Sequence, residues 1–108
     1  MVMHLPSQVS VIEVAPRDGF QVESAPISTA FKVATINALS AAGFRQIQVT
    51  SFVHPKWVPQ MADAEAVCGE IARHPDVTYS ALALNPRGVE RAQAAGITTV
   101  DLSISVSE

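Results

Sequence analysis

The sequence predicts an α/β protein in which four parallel strands alternate with three helices. Four short runs rich in β-branched residues cover residues 9–14, 46–50, 77–84 and 98–103, and such runs are typical of buried strands. The segments between them carry apolar residues at helical spacing. Strands that alternate with helices form a parallel sheet with right-handed crossovers. The chain of 108 residues allows one domain at most, and its 48% hydrophobic content is enough for a core.

The first helix is predicted to run to Ala42, and either Ser28 or Thr29 can cap its amino end. Gly43 follows directly and favours the left-handed backbone conformation that ends many helices. Apolar residues recur at every third position of this segment. They predict the buried stripe of the helix: Val33, Ile36 and Leu39.

The second and third helices also begin at residues suited to a helix start. Asp63 can cap the second helix, and Pro75 is expected to close it. Asn85 followed by Pro86 predicts the start of the third helix, and Gly96 predicts its end. The predicted inward-facing residues are Ala64, Val67 and Ile71 in the second helix and Val89, Ala92 and Ala95 in the third.

Composition excludes several classes of partner. A net charge of −3 gives no reason to expect nucleic acid or an anionic membrane. The single cysteine, Cys68, excludes an internal disulfide, fits a reducing compartment and is expected in the core. Residues 1–8 lack the features of a signal peptide, and no apolar stretch approaches the ~20 residues of a membrane span. We therefore expect a soluble cytoplasmic protein.

Two architectures fit this order of elements: a small doubly wound sheet, or part of a (β/α)8 barrel. No GxGxxG or GxxxxGK[ST] motif follows any strand, which weakens the nucleotide-binding version. In both architectures the functional site forms at the carboxyl ends of the strands. Polar residues collect at those ends, in strand order: Arg17, Asp18 and Gln21; Gln48, Thr50 and Ser51; Asn85; Ser103, Ser105, Ser107 and Glu108.

The pair Arg17 and Asp18 has the chemistry of a site at the end of the first predicted strand. A carboxylate can hold a divalent cation through oxygen, and a guanidinium can stabilise negative charge on a neighbouring oxygen. A solvated turn pair is the equal alternative.

The long loop after the second predicted strand, residues 51–60, is predicted to be a functional loop. It carries Trp57 and exceeds the length that a simple connection requires. His54 in that loop is only a weak indication of a ligand.

Two stretches together resemble the 3-hydroxy-3-methylglutaryl-CoA lyases. Residues 11–21, VIEVAPRDGFQ, resemble the opening strand and turn of that family. Residues 50–63, TSFVHPKWVPQMAD, are similar to its loop after the second strand, and the likeness continues through residues 85–96 and 105–108. The Arg-Asp-Gly turn alone is shared with a wider superfamily of metal-dependent aldol and Claisen enzymes, including isopropylmalate and homocitrate synthases. The long loop is more specific to the lyases.

The resemblance implies that residues 1–108 are the N-terminal part of a (β/α)8 barrel. It implies metal-dependent cleavage of 3-hydroxy-3-methylglutaryl-CoA to acetoacetate and acetyl-CoA, with Mg²⁺ or Mn²⁺ as cofactor and an acyl-CoA as small-molecule partner. This activity belongs to leucine degradation and ketone-body formation. Asp18 would ligate the metal, and Arg17 would bind the substrate carbonyl and stabilise the enolate. Gln21 and Ser51 are the further candidate substrate-binding residues.

The sequence departs from the family pattern in two ways. Gln48 stands at a catalytic position where the family has a Glu close to the metal, and a neutral amide cannot accept a proton as a carboxylate can. The family's His-x-His ligands, a later Asn ligand and its catalytic Cys would lie beyond residue 108, and Cys68 does not match that Cys. We expect a fragment with little or no activity alone. Related acyl-CoA lyases, Claisen-type synthases and a non-catalytic half-barrel that associates into a homo-oligomer remain alternatives.

Overall fold

The structure, a computed structural model, describes residues 4–103. These residues form a three-stranded parallel sheet with helices between the strands. Spatial order follows chain order, as in consecutive βα units of a barrel. The strands are β1 (Gln46–Phe52), β2 (Thr78–Ala83) and β3 (Thr99–Leu102), and the helices are α1 (Thr29–Ala41), α2 (Ala64–Glu70) and α3 (Pro86–Ala94).

The first predicted strand, residues 9–14, is not a strand in the structure. Only Glu13 pairs with β1, by donating its N–H to Gln46 and accepting from the N–H of Gln48. At Ala15 the backbone enters a π-helical turn, Ala15–Gly19, so pairing cannot continue. The prediction of four strands is therefore wrong for the described part of the chain, which has three strands and one isolated bridge. The apolar side chains before Glu13 are largely exposed: Val9, Val11 and Ile12.

One of the two predicted helix caps is confirmed, and the predicted start of the third helix is also capped. The hydroxyl of Ser28 accepts the N–H of Phe31 at 3.1 Å at the start of α1. The side-chain oxygen of Asn85 accepts the N–H of Gly88 at 2.8 Å at the start of α3. Asp63 precedes α2 but makes no side-chain cap, because its carboxylate is bound elsewhere.

The helix ends also match their sequence indications in part. Gly43 and Gly96 follow α1 and α3 with φ of 102° and 83°, values that favour glycine. Helix α2 ends earlier than Pro75 would require, because the backbone of Ile71 is already extended. Within residues 4–103, no helix is long and apolar enough to cross a membrane.

The core lies between the sheet and the three helices. Ile47 and Val49 of β1 and Tyr79 and Ala81 of β2 lie in this cluster together with the apolar faces of the helices. Val89 is 37% exposed, so its predicted inward orientation is wrong. The residues of the helices and of their carboxyl ends that do reach the core are Ile36, Ala64, Val67, Cys68, Ile71 and Ala92, with Val33, Leu39 and Ala95 packed at its margin. One face of the sheet thus carries the core, and alternate strand residues project from the other face.

Candidate functional site

The π-helical turn brings Arg17 onto the face of β1 that is opposite the core. The Nε–H of Arg17 donates to the side-chain oxygen of Gln48 at 2.6 Å. Gln48 is 5% exposed, and the side chain of Arg17 is 20% exposed. The turn begins at Ala15 with Pro16 at its second position, and the isolated bridge at Glu13 fixes the turn against β1. Two predicted catalytic residues are therefore in direct contact.

The same glutamine contacts a carboxylate two strands away. The side-chain N–H of Gln48 donates to Oδ2 of Asp101 at 2.6 Å, and the hydroxyl of Ser80 donates to the same oxygen at 2.9 Å. Gln48 pairs with Ser80, and Asp101 pairs with Leu82, which lies two residues after Ser80. Residues two apart on a strand share a face, so the three polar side chains form one network across the sheet.

Asp18, the predicted metal ligand, is next to this network but points outward. Its side chain is 64% exposed, and its Oδ1 lies 3.3 Å from Nη1 of Arg17. An ion pair this exposed contributes little to stability. The carboxylate of Asp18 is therefore accessible to a ligand at the edge of the sheet formed by the carboxyl ends of the strands.

The described residues fit a divalent cation only in part. Among residues 4–103, no group of three His, Cys, Asp or Glu side chains could hold a metal ion. Mg²⁺ favours six oxygen ligands, several of them water. Asp18 can provide one carboxylate, and its contact with Arg17 engages only one of the two oxygens. Further ligands would have to come from water, from substrate or from protein atoms outside this range.

Two predicted substrate-binding residues hold buried polar atoms that lack a partner within residues 4–103. They are the hydroxyl oxygen of Ser51 and the side-chain oxygen of Gln21. Ser51 is fully buried in β1, where it pairs with Leu82. Buried polar atoms usually have a hydrogen-bond partner, so each of these two atoms is suited to contact a ligand. Neither is hydrogen-bonded to the Arg17–Gln48 pair.

Gln21 also lines a groove between two loops. This cavity, about 410 Å³ in volume, lies between residues 21–27 and the long loop that ends in α2. Trp57 lines the groove and is 83% exposed. The amide of Gln60 joins the two sides by accepting the N–H of Ile27 and by donating to two carbonyl oxygens of the other loop. The long loop is therefore fixed rather than a plain surface connection.

A largely buried ion pair lines this groove. The ammonium group of Lys32 is 2.7 Å from Oδ1 of Asp63, and it also donates to the carbonyl of Gln60. The hydroxyl of Thr29 donates to the other oxygen of Asp63 at 2.6 Å. Only 4% of the Lys32 side chain is exposed. This pairing explains why Asp63 does not cap α2.

Several polar residues predicted at the strand ends have structural roles instead. The hydroxyl of Thr50 is directed to the sulfur of Met61, and Asn85 caps α3. His54 accepts the N–H of Lys56 within its own loop. Ser103 is exposed. Ser105, Ser107 and Glu108 lie outside the described residues.

Sequence reasoning missed Asp101, Ser80 and Lys32. Asp101 lies inside the predicted strand 98–103, and an acidic residue in that position is the indication that could have identified it. Lys32 sits among the apolar residues of α1, one position before the predicted stripe. Its burial could not be predicted without its partner Asp63.

Cys68 is confirmed as a core residue. It is 2% exposed, and its burial raises the pKa of the thiol to about 11, although the charge of Arg73 acts in the opposite direction. A thiol with so high a pKa is almost entirely protonated at neutral pH and is a poor nucleophile. Cys68 therefore has a packing role, on the helix side of the sheet.

A family model described as HMGL-like matches residues 8–108. The chain belongs to the HMGL-like family. This membership agrees with the resemblance carried by the Arg-Asp-Gly turn and by the long loop that follows the second predicted strand.

Curated proteins similar to this chain are named as lyases. It is 48% identical over 106 residues to a 3-hydroxy-3-isohexenylglutaryl-CoA/hydroxy-methylglutaryl-CoA lyase of Pseudomonas aeruginosa, covering 98% of the chain and 35% of that protein. It is 46% identical to the hydroxymethylglutaryl-CoA lyase YngG of Bacillus subtilis, covering 98% of the chain and 36% of that protein. These relatives are carbon–carbon lyases.

Solved lyase structures share the fold of this chain. The hydroxymethylglutaryl-CoA lyase of Pseudomonas aeruginosa superposes with a TM-score of 0.88 and 49% identity, over 93% of the chain and 33% of that structure. An HMG-CoA lyase of Acinetobacter baumannii, solved with coenzyme A and 3-methylmalate, superposes with a TM-score of 0.84 and 42% identity, over 86% of the chain and 30% of that structure. The chain thus spans about a third of the length of the relatives it matches.

Proposed function

We propose that this chain forms part of a metal-dependent lyase that cleaves 3-hydroxy-3-methylglutaryl-CoA to acetoacetate and acetyl-CoA. The observation that carries the proposal is the contact of Arg17 with the buried Gln48, beside the exposed carboxylate of Asp18. Membership of the HMGL-like family and the lyase relatives support it.

The reaction is a retro-aldol cleavage. The tertiary hydroxyl loses its proton, its oxygen forms the new ketone of acetoacetate, and the carbon–carbon bond to the thioester side breaks. The electron pair of that bond becomes the enolate of acetyl-CoA, which then takes up a proton. The site therefore needs a base for the hydroxyl and a positive group for the enolate oxygen.

Arg17 is the positive group in this proposal. Its Nε–H is committed to Gln48, and its Nη1 is near Asp18. The remaining N–H groups can donate to a carbonyl oxygen of the thioester, and more strongly once that oxygen becomes an enolate. Donors that are held in place before charge develops lower the barrier because they need no reorganisation.

Asp18 is the proposed ligand for Mg²⁺ or Mn²⁺, as one member of a larger ligand set. When bound, the cation lowers the pKa of a hydroxyl group that contacts it. This chain is proposed to contribute one metal ligand. Asp18 presents its carboxylate at the carboxyl end of the sheet, next to the guanidinium of Arg17, which is proposed to face the thioester.

Ser51 and Gln21 are proposed to contact the substrate. Each has a buried oxygen that lacks a partner among the described residues, and a ligand would satisfy it. Gln48 is proposed to hold Arg17 rather than to transfer protons, because a neutral carboxamide is a very poor base.

A second candidate is cleavage of an acyl-CoA with a larger substituent at carbon three. The Pseudomonas aeruginosa relative is named for an isohexenylglutaryl-CoA as well as for the methyl compound. A comparison of the two substrates by kcat/KM separates these candidates. A Claisen-type synthase would instead consume acetyl-CoA and a keto acid.

The test is a chimera in which this chain replaces the matched segment of the Pseudomonas aeruginosa lyase, to which it is 48% identical. With Mg²⁺ present, we expect release of acetoacetate from 3-hydroxy-3-methylglutaryl-CoA, and loss of that release with Arg17→Met. A correctly folded chimera without lyase activity, also after the double substitution Gln48→Glu with Asp101→Asn, would overturn the proposal, as would activity that does not depend on Arg17.

We expect little or no turnover by the 108-residue chain alone, since Asp18 is the only metal ligand proposed in it. A role in leucine degradation and ketone-body formation and a cytoplasmic location follow as parts of the same proposal. The relatives' names include both mitochondrial and cytoplasmic enzymes. Sedimentation of the purified chain tests the further proposal that it forms a homo-oligomer.

A further inference from the structure

We propose that Asp101 is a positioning residue that orients Arg17 through the side-chain amide of Gln48. The network runs from Asp101 to Gln48 at 2.6 Å and from Gln48 to Arg17 at 2.6 Å. This inference rests on the proposed function in one respect, namely that Arg17 is oriented to bind the substrate. The coupling itself is independent of any catalytic activity.

The chemistry of the two neighbours fixes the orientation of the amide. A guanidinium can only donate hydrogen bonds, and an ionised carboxylate can only accept them. The amide of Gln48 has one acceptor side and one donor side, so only one of its two orientations satisfies both neighbours. Its oxygen must face Arg17, and its nitrogen must face Asp101.

Ser80 holds the carboxylate of Asp101 in place. Its hydroxyl donates to the same oxygen that accepts from Gln48. Ser80 and Gln48 are both 5% exposed, so water competes weakly for these bonds. The carboxylate is therefore held by two donors, one from β2 and one from β1.

The consequence for Arg17 is directional. Its Nε–H is used by Gln48, so the guanidinium plane is set and its Nη1 lies toward Asp18. Without Asp101, the amide of Gln48 can rotate and present its N–H₂ to Arg17. Two donors would then face each other, and the guanidinium would lose its anchor.

The test measures hydrogen exchange at the Nε–H of Arg17 by NMR in the full 108-residue chain. With Asp101→Ala we expect exchange to become about tenfold faster, while backbone amide spectra show that the fold is retained. Asp76→Ala is the matched control, because Asp76 is exposed and lies just before the amino end of β2, away from the network. Unchanged exchange in Asp101→Ala would overturn the inference.

A pair of variants keeps the test decisive if Asp101→Ala does not fold. Gln48→Glu brings a second carboxylate against Asp101 with no hydrogen between them, so it should lower the urea midpoint. Adding Asp101→Asn reverses the polarity of that bond, because the asparagine can donate to the new glutamate. We expect the double variant to recover the urea midpoint. Effects that merely add would sink the proposal, whereas loss of lyase activity in the chimera would bear only on the proposed function.

Discussion

The backbone of Gly88 lies directly against the carbonyl oxygen of Phe52, so close that a Cβ at position 88 would be 2.5 Å from that oxygen. This contact joins the amino end of α3 to the carboxyl end of β1. The cap of α3 also lies here, since the N–H of Gly88 donates to Asn85. The edge of the sheet that carries the candidate site therefore depends on a residue without a side chain.

The first prediction compares two glycines. Gly88→Ala should lower the free energy of unfolding by about 2 kcal/mol or more, because the backbone must move to remove the clash. Gly69→Ala, in α2, has nothing within 4 Å of its added Cβ and should raise stability by about 0.5–1 kcal/mol through helix propensity. Urea denaturation measures both. Equal effects of the two substitutions would contradict the structure at the junction of α3 and β1.

The second prediction concerns Arg17. In the chimera, Arg17→Lys should lower kcat by about 10²–10³, because lysine keeps the charge but cannot bond to Gln48 and to a carbonyl oxygen in the same geometry. Arg87→Lys is the control, since Arg87 is exposed on α3. Steady-state kinetics with 3-hydroxy-3-methylglutaryl-CoA give the comparison. If the two lysine variants have the same kcat, Arg17 has no role in the chemistry.

The third prediction concerns position 48 and its partner. Gln48→Glu alone should not raise the activity of the chimera, because the new carboxylate faces Asp101 with no donor between them. Gln48→Glu combined with Asp101→Asn should give a higher kcat than Gln48→Glu alone. A rise with the single variant would show that Asp101 does not constrain this position.

The fourth prediction tests the buried ion pair. Asp63→Ala should cost about 3 kcal/mol of stability, because the ammonium of Lys32 stays buried after it loses its carboxylate partner. Glu65→Ala is the contrast, since Glu65 forms its ion pair with Arg91 on the surface and such pairs contribute about 0–1 kcal/mol. Unfolding midpoints in urea should separate the two variants clearly. Equal losses would mean that Lys32 is solvated in solution.

The fifth prediction uses the pKa of Cys68. Burial raises the pKa of this thiol from 9.0 to about 11, so the folded state keeps the proton to a higher pH than the unfolded state does. The resulting stability, about 2–3 kcal/mol, is present below pH 9 and is lost as pH rises toward 11. Cys68→Ala should lack this component of the alkaline loss. Identical slopes of stability against pH above 9 would show that the thiol titrates normally.

Local patterns predicted the parts of the fold that depend on neighbouring residues. Ser28 caps α1 and α3 begins at Pro86 as expected, because a helix start needs only residues a few positions away. Ile36 and Val67 are buried as expected, because an apolar stripe on a helix must face a core. The resemblance identified the family from two short stretches, since these keep a recognisable order of residues along the chain.

The chain by itself therefore determined the alternation of strands and helices, the Arg17–Asp18 turn and the family. Only the tertiary structure decided which side chains meet. Residues 9–14 have the composition of a strand, but pairing ends at Glu13 because the backbone enters the π-helical turn. Asp101 contacts Gln48 from 53 positions away because both project from the same face of the sheet. No local pattern contains that contact, since it depends on the register of three strands at once.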